Sequence, residues 1–332
     1  MRIAIVGATG AVGAEFGDVL TQRNFPFTEA RLFASARSAG RTLHWGGADY
    51  KIAELSADAF AGVDIAFFSA GAELSRQFAP HAVKAGAVVI DNSSAFRMDE
   101  NVPLVVPEVN AAEIARHNGI IANPNCSAII LTVALAPLRK LAKIRRIVVS
   151  TYQAASGAGA RALEELVTQS RAALDGQPIV PEVFPVQCAF NVFSHNTKIG
   201  PDGYNGEESK MILETQKILG DAAVRIAPTC MRVPVLRAHT ESVSVEFDVP
   251  VSEQQARDVL EYAPGIKVVD DRATNHFPTP LDASGRDEVL VGRIRTDASI
   301  ADNRGLQFIC AGDQLRKGAA LNAVQIAERL KS

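Results

Sequence analysis

The sequence predicts two α/β units in one chain: a doubly wound unit with a parallel sheet, then an α+β unit with a largely antiparallel sheet. Three observations lead there. The 332 residues suffice for about two domains of ordinary size. Up to about residue 125, short β-branched runs alternate with helix-length stretches. From about Lys143 the texture changes to long runs in which apolar and polar residues alternate. Near-continuous apolar strands separated by helices mark a parallel sheet covered on both faces. Alternating runs mark a sheet with one partly polar face.

In the first part, strands are expected at Arg2–Val6, Ala30–Ala34, Asp64–Phe68, Ala87–Ile90 and Gly119–Ala122, with a helix over Ala72–Ala85. In the second, helices at Ala158–Leu174 and Gly206–Leu219 would cover strands such as His239–Val249 and Glu288–Thr296. An amphipathic helix over Asp313–Leu330 closes the chain. The loop Asp175–Gly203 holds Pro178, Pro181, Pro185 and Pro201, and its length marks it as functional or interfacial.

Composition narrows the function. Hydrophobic residues at 47% and charged ones at 21% fit a soluble globular protein. A net charge of −3 excludes a general attraction to nucleic acid, which needs a basic surface. No apolar run approaches the ~20 residues that span a bilayer. The apolar N-terminus is too short for a signal peptide and runs straight into a glycine-rich turn. Cys126, Cys188, Cys230 and Cys310 form no C-x-x-C pair, so no metal site is expected. They read as thiols in a cytoplasmic protein.

Strand Arg2–Val6 leads into Gly7-Ala8-Thr9-Gly10-Ala11-Val12-Gly13. Glycine at every third position, between a strand and a helix, allows a pyrophosphate to approach the backbone and the helix N-terminus. This is a variant of the dinucleotide fingerprint of Rossmann-like units. An NAD site usually ends its second strand with a carboxylate for the ribose hydroxyl. Here the strand runs into Ser35-Ala36-Arg37-Ser38, one arginine and two hydroxyls, which suits the 2′-phosphate of NADP. The third strand ends in Ser69-Ala70-Gly71, small residues that either clear room for a cofactor or form an ordinary turn.

Asn123-Pro124-Asn125-Cys126-Ser127 follows a buried strand and precedes a long apolar helix, Ala128–Leu141. Pro124 and Asn125 suit the approach to a helix N-terminus. Cys126 therefore falls where free N–H groups and the helix dipole favour a thiolate, as a thiol nucleophile requires. The other three cysteines lie in apolar surroundings and read as packing residues. Of the six histidines, His239 opens the longest alternating strand, seven residues after Arg232. It is the acid/base candidate. Glu207 and Lys210 share a face of a predicted helix, a spacing that equally describes a surface ion pair.

Together these residues resemble the aspartate-β-semialdehyde dehydrogenase family, over essentially the whole chain. The resemblance rests on nine motifs in order: residues 7–13, 34–40 (Ala-Ser-Ala-Arg-Ser-Ala-Gly), 91–97 (Asp-Asn-Ser-Ser-Ala-Phe-Arg), 106–110 (Val-Pro-Glu-Val-Asn), 123–127, 151–159 (Thr-Tyr-Gln-Ala-Ala-Ser-Gly-Ala-Gly), 207–210, 232–239 (Arg-Val-Pro-Val-Leu-Arg-Ala-His) and 315–323 (Leu-Arg-Lys-Gly-Ala-Ala-Leu-Asn-Ala). It implies that Cys126 attacks the aldehyde, that Gln153 places substrate and intermediate oxygen, and that His239 is the acid/base. It further implies that Arg232 clamps the substrate α-carboxylate and Glu207 its amine. Arg97 and Lys210 would hold phosphate, with Asn92 and Asn125 in the same site. Ser156, Gly157 and Gly159 would approach substrate and nicotinamide. Where the family pattern often has asparagine beside the nicotinamide, this chain has Gln314.

The resemblance also implies an NADP-binding domain of residues 1–126 with 313–332. Residues 127–312 would form a catalytic and dimerisation domain, giving a homodimer or a dimer of dimers. The chemistry implied is NADPH-dependent, reversible conversion of L-aspartyl-4-phosphate to aspartate semialdehyde and inorganic phosphate through a cysteine thioester, in lysine, threonine and methionine biosynthesis. Two alternatives stand beside it: an N-acetyl-glutamyl-phosphate reductase, and a nucleotide-binding homologue without activity.

Overall fold

A computed structural model describes residues 1–330. The chain divides into two compact units, residues 1–125 with the C-terminal segment from Gly318, and residues 126–317.

The first unit is built on a seven-stranded sheet. Its elements are β1 (Arg2–Val6), α1 (Ala11–Gln22), β2 (Glu29–Ala34), β3 (Thr42–Trp45), β4 (Ala48–Glu54), β5 (Ile65–Phe68), α2 (Ala72–Lys84), β6 (Val88–Asp91), α3 (Pro107–Asn110) and β7 (Ile120–Ala122). The strand order is β3-β4-β2-β1-β5-β6-β7, parallel from β4 to β7. Successive side chains of β1 point to opposite faces, and both faces are buried. Ile3 and Ile5 join Phe16, Leu20 and Phe67 in one core, while Ala4 and Val6 join Phe60, Phe68 and Val89 in the other. That is why the strand reads as an unbroken apolar run. The chain order reverses at β1, between β2 and β5, and this is where such sheets bind ligands. The sequence reading did not foresee the β3–β4 hairpin, which turns on Gly46 and Gly47 at φ 57° and 81°. Two consecutive positive φ angles make the two-residue turn that suits strand twist.

The second unit begins with α4 (Cys126–Leu138), followed by β8 (Ile144–Gln153), α5 (Ala160–Leu174), β9 (Phe193–Ser194), α6 (Gly206–Leu219), β10 (Arg225–Arg232) and β11 (His239–Phe247). Then come α7 (Glu253–Glu261), β12 (Ile266–Val268), α8 (Pro280–Ala283), β13 (Val289–Thr296) and β14 (Gly305–Gly312). Its seven strands run β12-β13-β14-β11-β8-β10-β9. Four of the pairings are antiparallel, and β8–β10 and β12–β13 are parallel. Residues 129–135 of α4 are buried all round, because the helix packs on β11, β13 and β14 as well as on α6 and α7. Pro228 sits inside β10 without breaking a ladder, since β9 pairs only with Met231 and Arg232.

The chain ends in α9 (Leu321–Arg329), whose Leu321, Val324 and Ile326 join the core beneath β1. The single helix expected over Asp313–Leu330 is not formed. Asp313 is fully buried and its carboxylate accepts from the backbone N–H groups of Gly285, Leu315 and Arg316 and from Arg237. Those bonds hold residues 313–315 in a turn, and a wide helical turn at Arg316–Ala320 precedes α9.

Candidate active site

Strand register builds the site of the second unit. Arg232 of β10 pairs with Gln153 of β8, Thr240 of β11 with Tyr152, and His239 with Gly312 of β14. The step beyond Thr240–Tyr152 sets His239 alongside Gln153. A row Gly312–His239–Gln153–Arg232 therefore crosses the ends of four strands. Two residues further into the sheet, on the same face, lies a second row, Cys310–Glu241–Thr151–Cys230.

His239 is fully buried and accepts a hydrogen bond at Nδ1 from the Ala154 N–H, 3.0 Å away. Its neutral ring therefore carries the proton on Nε2. Nε2 has no partner among the described residues. Burial, reinforced by the Arg232 cation, pulls its pKa down to about 3. The residue before it, Ala238, is in the left-handed region at φ 70°. Its N–H is held by Gln314 Oε1 at 2.7 Å, and the Gln314 amide nitrogen donates to Ser156 Oγ. Gln314 thus braces the entry to β11. Gly157 lies against the ring: a Cβ there would be 2.9 Å from His239 Cε1 and 3.4 Å from Arg232 Nη1.

Arg232, only 2% exposed, donates from Nη1 to the Ala154 carbonyl (2.7 Å) and from Nη2 to His195 Nε2 (2.9 Å). Its guanidinium stands 5.5 Å over the Phe184 ring. Both hydrogen-bond partners are neutral, and Nε is buried with none among the described residues. Glu207, 4% exposed, opens α6, where Asn205 and Glu208 form a capping box. Its Oε1 accepts from Gln153 Nε2 at 3.2 Å and its Oε2 meets Lys210 Nζ at 3.1 Å. Thr151 Oγ1 fixes the other end of Gln153. The Glu207–Lys210 spacing is therefore an ion pair, with the carboxylate turned into the row and the lysine at the rim.

Cys126 is the first residue of α4, the helix end that favours an anion, and it is close enough to Arg232 for their charges to interact. It is the partly exposed one of four free thiols. Burial pushes Cys188 up to about 11 and Cys230 to about 12, and it raises Cys310 too, which keeps all three unreactive.

The first unit carries a cleft of about 440 Å³ over the ends of β1, β2 and β5, lined by Gly7, Thr9, Gly10, Ser35 and Ser69. Glu54 and Gln77, which the sequence reading did not single out, line it too. Ala11, Val12 and Gly13 form the first turn of α1, and Gly71 is the residue before α2 at φ 91°. A Cβ on Gly7 would come within 2.4 Å of Ser69 O, and one on Gly13 within 2.3 Å of Gly7 O. These glycines let strand, turn and helix close on one another, leaving backbone at the rim for a pyrophosphate. Arg37 and Ser38 lie in the exposed turn after Ser35, outside the lining. In the same unit Arg97 donates to the carbonyls of Asn92 and Asn123, and the Asn92 amide is buried with no partner among the described residues. Asn125 is 6% exposed and directly precedes Cys126. Ser156, Gly157 and Gly159, by contrast, belong to the second unit.

The comparisons with known proteins point to one family. Residues 2–117 match the family model of the semialdehyde dehydrogenase NAD binding domain, and residues 135–317 that of the semialdehyde dehydrogenase dimerisation domain. An aspartate-semialdehyde dehydrogenase of Synechocystis sp. is 52% identical over 330 residues, covering 99% of this chain and 97% of that protein. Among solved structures, aspartate semialdehyde dehydrogenase II of Vibrio cholerae, complexed with ASA, matches with a TM-score of 0.96 at 46% identity, over 99% of this chain and 98% of that one. The Candida albicans enzyme with NADP matches with a TM-score of 0.77 at 25% identity, over 99% of this chain and 98% of that one. The chain belongs to the semialdehyde dehydrogenase family.

Proposed function

We propose that this protein is an NADP-dependent aspartate-semialdehyde dehydrogenase whose substrate is gripped at both charges by the row across β8, β10 and β11 together with Glu207 of α6. One observation carries the reading. A buried arginine with only neutral hydrogen-bond partners pairs in register with Gln153, and a buried glutamate accepts from the Gln153 side chain. That is the complement of an α-amino acid, whose carboxylate and ammonium sit on one carbon. Arg232 Nε remains to take the carboxylate, and Glu207 takes the amine. The relatives that bind or are named for aspartate semialdehyde support it.

In the biosynthetic direction the Cys126 thiolate attacks the acyl carbon of L-aspartyl-4-phosphate. A carbon–sulfur bond forms, the carbon–oxygen bond to phosphate breaks, and inorganic phosphate leaves. NADPH, when bound, supplies the hydride that reduces the resulting thioester. His239 presents Nε2–H to the carbonyl oxygen and supplies its proton as charge builds there. Gln153, fixed by Thr151, orients the same oxygen. The hydroxyl proton then returns to His239 Nε2, the carbon–oxygen double bond re-forms and the carbon–sulfur bond breaks, releasing aldehyde and thiolate. Lys210 in the second unit serves as a phosphate ligand, and in the first unit Arg97 does so with Asn92 and Asn125. The glycine turn after β1 fits a dinucleotide, and Arg37 with Ser35 and Ser38 takes its 2′-phosphate. Ser156, Gly157, Gly159 and Gln314 form the nicotinamide side. The product serves lysine, threonine and methionine synthesis.

The second unit makes the homodimer, using the half-exposed sheet face that carries Tyr152, Thr240 and Ser242. Among the described residues no helix is long and apolar enough to cross a membrane. A cytoplasmic enzyme with a reactive thiol suits a reducing compartment.

The test is spectrophotometric: NADPH formation from aspartate semialdehyde, phosphate and NADP, repeated with the substrate amine acetylated. Acetylation should cost at least ~10²-fold in kcat/KM, because a neutral, bulkier amide no longer brings a positive charge to the Glu207 carboxylate. Preference for N-acetyl-glutamate semialdehyde would give the site to the reductase of that substrate, which the comparisons do not favour.

A further inference from the structure

We infer that His195 is a positioning residue that ties the carboxylate clamp to the amine clamp, and so sets selectivity for substrates bearing an α-carboxylate. The inference rests on the reading of Arg232 and Glu207 given above.

His195 follows the two-residue strand β9, inside the proline-rich loop, and its backbone N–H donates to Cys230 O at 2.8 Å. That bond and the β9–β10 pairing fix the ring beside Arg232. Nε2 accepts from Arg232 Nη2 at 2.9 Å, so the ring proton is on Nδ1. Nδ1 stands 3.3 Å from Thr197 Oγ1 and donates to it. Thr197 Oγ1 in turn donates to Asn205 Oδ1 and accepts from the Glu207 N–H at 3.0 Å. Asn205 is the N-cap of the helix that presents Glu207. One hydrogen-bonded chain, Arg232–His195–Thr197–Asn205, thus links the residue that meets the carboxylate to the helix end that meets the amine.

The arrangement works only with a neutral ring, since an imidazolium could not accept from a guanidinium. Burial secures this, and with Arg232 alongside it holds the His195 pKa near 4 against the opposing pull of Glu207. The guanidinium cannot orient itself. The Ala154 carbonyl holds one terminal nitrogen and the Phe184 ring its face, so without His195 the second terminal nitrogen could swing. A bidentate grip needs Nε and a terminal nitrogen in one fixed plane, and His195 supplies the second anchor that sets it.

The test compares wild type with His195→Leu, His195→Gln and His195→Asn on two aldehydes: aspartate semialdehyde, and 3-aminopropanal, which lacks the carboxylate. The Gln side chain puts an acceptor near the place of Nε2, and Asn puts one near Nδ1. His195→Leu should raise the KM for aspartate semialdehyde about 10–100-fold, as for a lost charge-assisted contact, with kcat within about threefold. His195→Gln should recover most of that loss and His195→Asn little. With 3-aminopropanal all four proteins should have the same kcat/KM. Equal losses on both aldehydes would make His195 a general structural residue and overturn the inference. So would a His195→Leu enzyme that keeps the wild-type preference for the carboxylate substrate. A wild-type enzyme with no such preference would overturn the Arg232 clamp itself, and the inference with it.

Discussion

The glycine turn after β1 and the polar row across β8, β10 and β11, the two sites of the proposed function, are built by different means. The turn offers backbone, brought close because Gly7 and Gly13 have no side chain to hold Ser69 and α1 away. The row, with Glu207 of α6 beside it, offers finished polar and charged side chains, none of Gln153, Glu207, Arg232 and His239 more than 4% exposed. A backbone site tolerates anything that leaves the main chain alone and fails when a methyl group enters. A buried charged row fails differently: removing one member leaves its partner unpaired where water cannot compensate. Cofactor affinity should therefore change in small steps with the first unit, and catalysis in large ones with the second.

The largest step is Cys126→Ala, which should abolish turnover while NADP still titrates normally. Mass spectrometry of wild type with aspartyl phosphate should find the acyl group on Cys126. An adduct on Cys188, Cys230 or Cys310 would move the chemistry off the start of α4. Next comes His239→Ala, expected to lower kcat by about 10²–10⁴. A near-normal kcat would leave the ring a mere packing group beneath Gly157. On the cofactor side, Arg37→Ala should raise the KM for NADP by ~10–150-fold, roughly 1.5–3 kcal/mol, and barely alter that for NAD. Equal effects on both cofactors would remove Arg37 from the 2′-phosphate.

The smallest effect concerns stability. Glu241 lies fully buried in the second row, where burial holds its carboxyl pKa well above the usual range. Below the ordinary carboxyl pKa it is protonated folded and unfolded alike. As pH rises, the unfolded chain ionises first, so the folded state loses stability until Glu241 itself ionises. Glu241→Gln removes that loss. Its Tm should match wild type near pH 4 and exceed it by a few degrees at pH 8, at roughly 2–4 °C per kcal/mol for a folding unit the size of the second one. A gap that does not widen with pH would mean that Glu241 is not held neutral.

The two sites were unequally legible for the same reason that they work differently. The glycine turn is contiguous, so spacing alone marks it, and both its strand and its helix are where the pattern put them. Gly46-Gly47 was an equally local signal for a hairpin, overlooked because its two strands are short and mostly exposed. The row is scattered over positions 153, 207, 232 and 239 and exists only once β8 lies between β10 and β11. No spacing in the sequence encodes that order, so Gln153 and Arg232 were named through family resemblance rather than from pattern. His195 and Phe184 escaped because they sit in a loop whose prolines suggested importance without a role. The turn at 313–315 was missed because Asp313 looks like any helix-starting residue until its four hydrogen-bond partners are seen.

The burial of α4 has a consequence for how this enzyme can move. Its middle turns make contact on all sides, so they belong to the part of the fold that opens last. Cys126, the proposed nucleophile, is mounted at the tip of that element, like a tool bolted to the bed of a lathe. Its sulfur is then the fixed reference point of the reaction, and any adjustment between the steps must come from the parts around it, the glycine-bearing turn at 154–159 and the proline-rich loop. A change inside α4 that leaves every named site residue untouched would still blur the position of the sulfur. Random mutagenesis for activity should accordingly find α4 among the least permissive stretches of the chain, though only its first residue does chemistry.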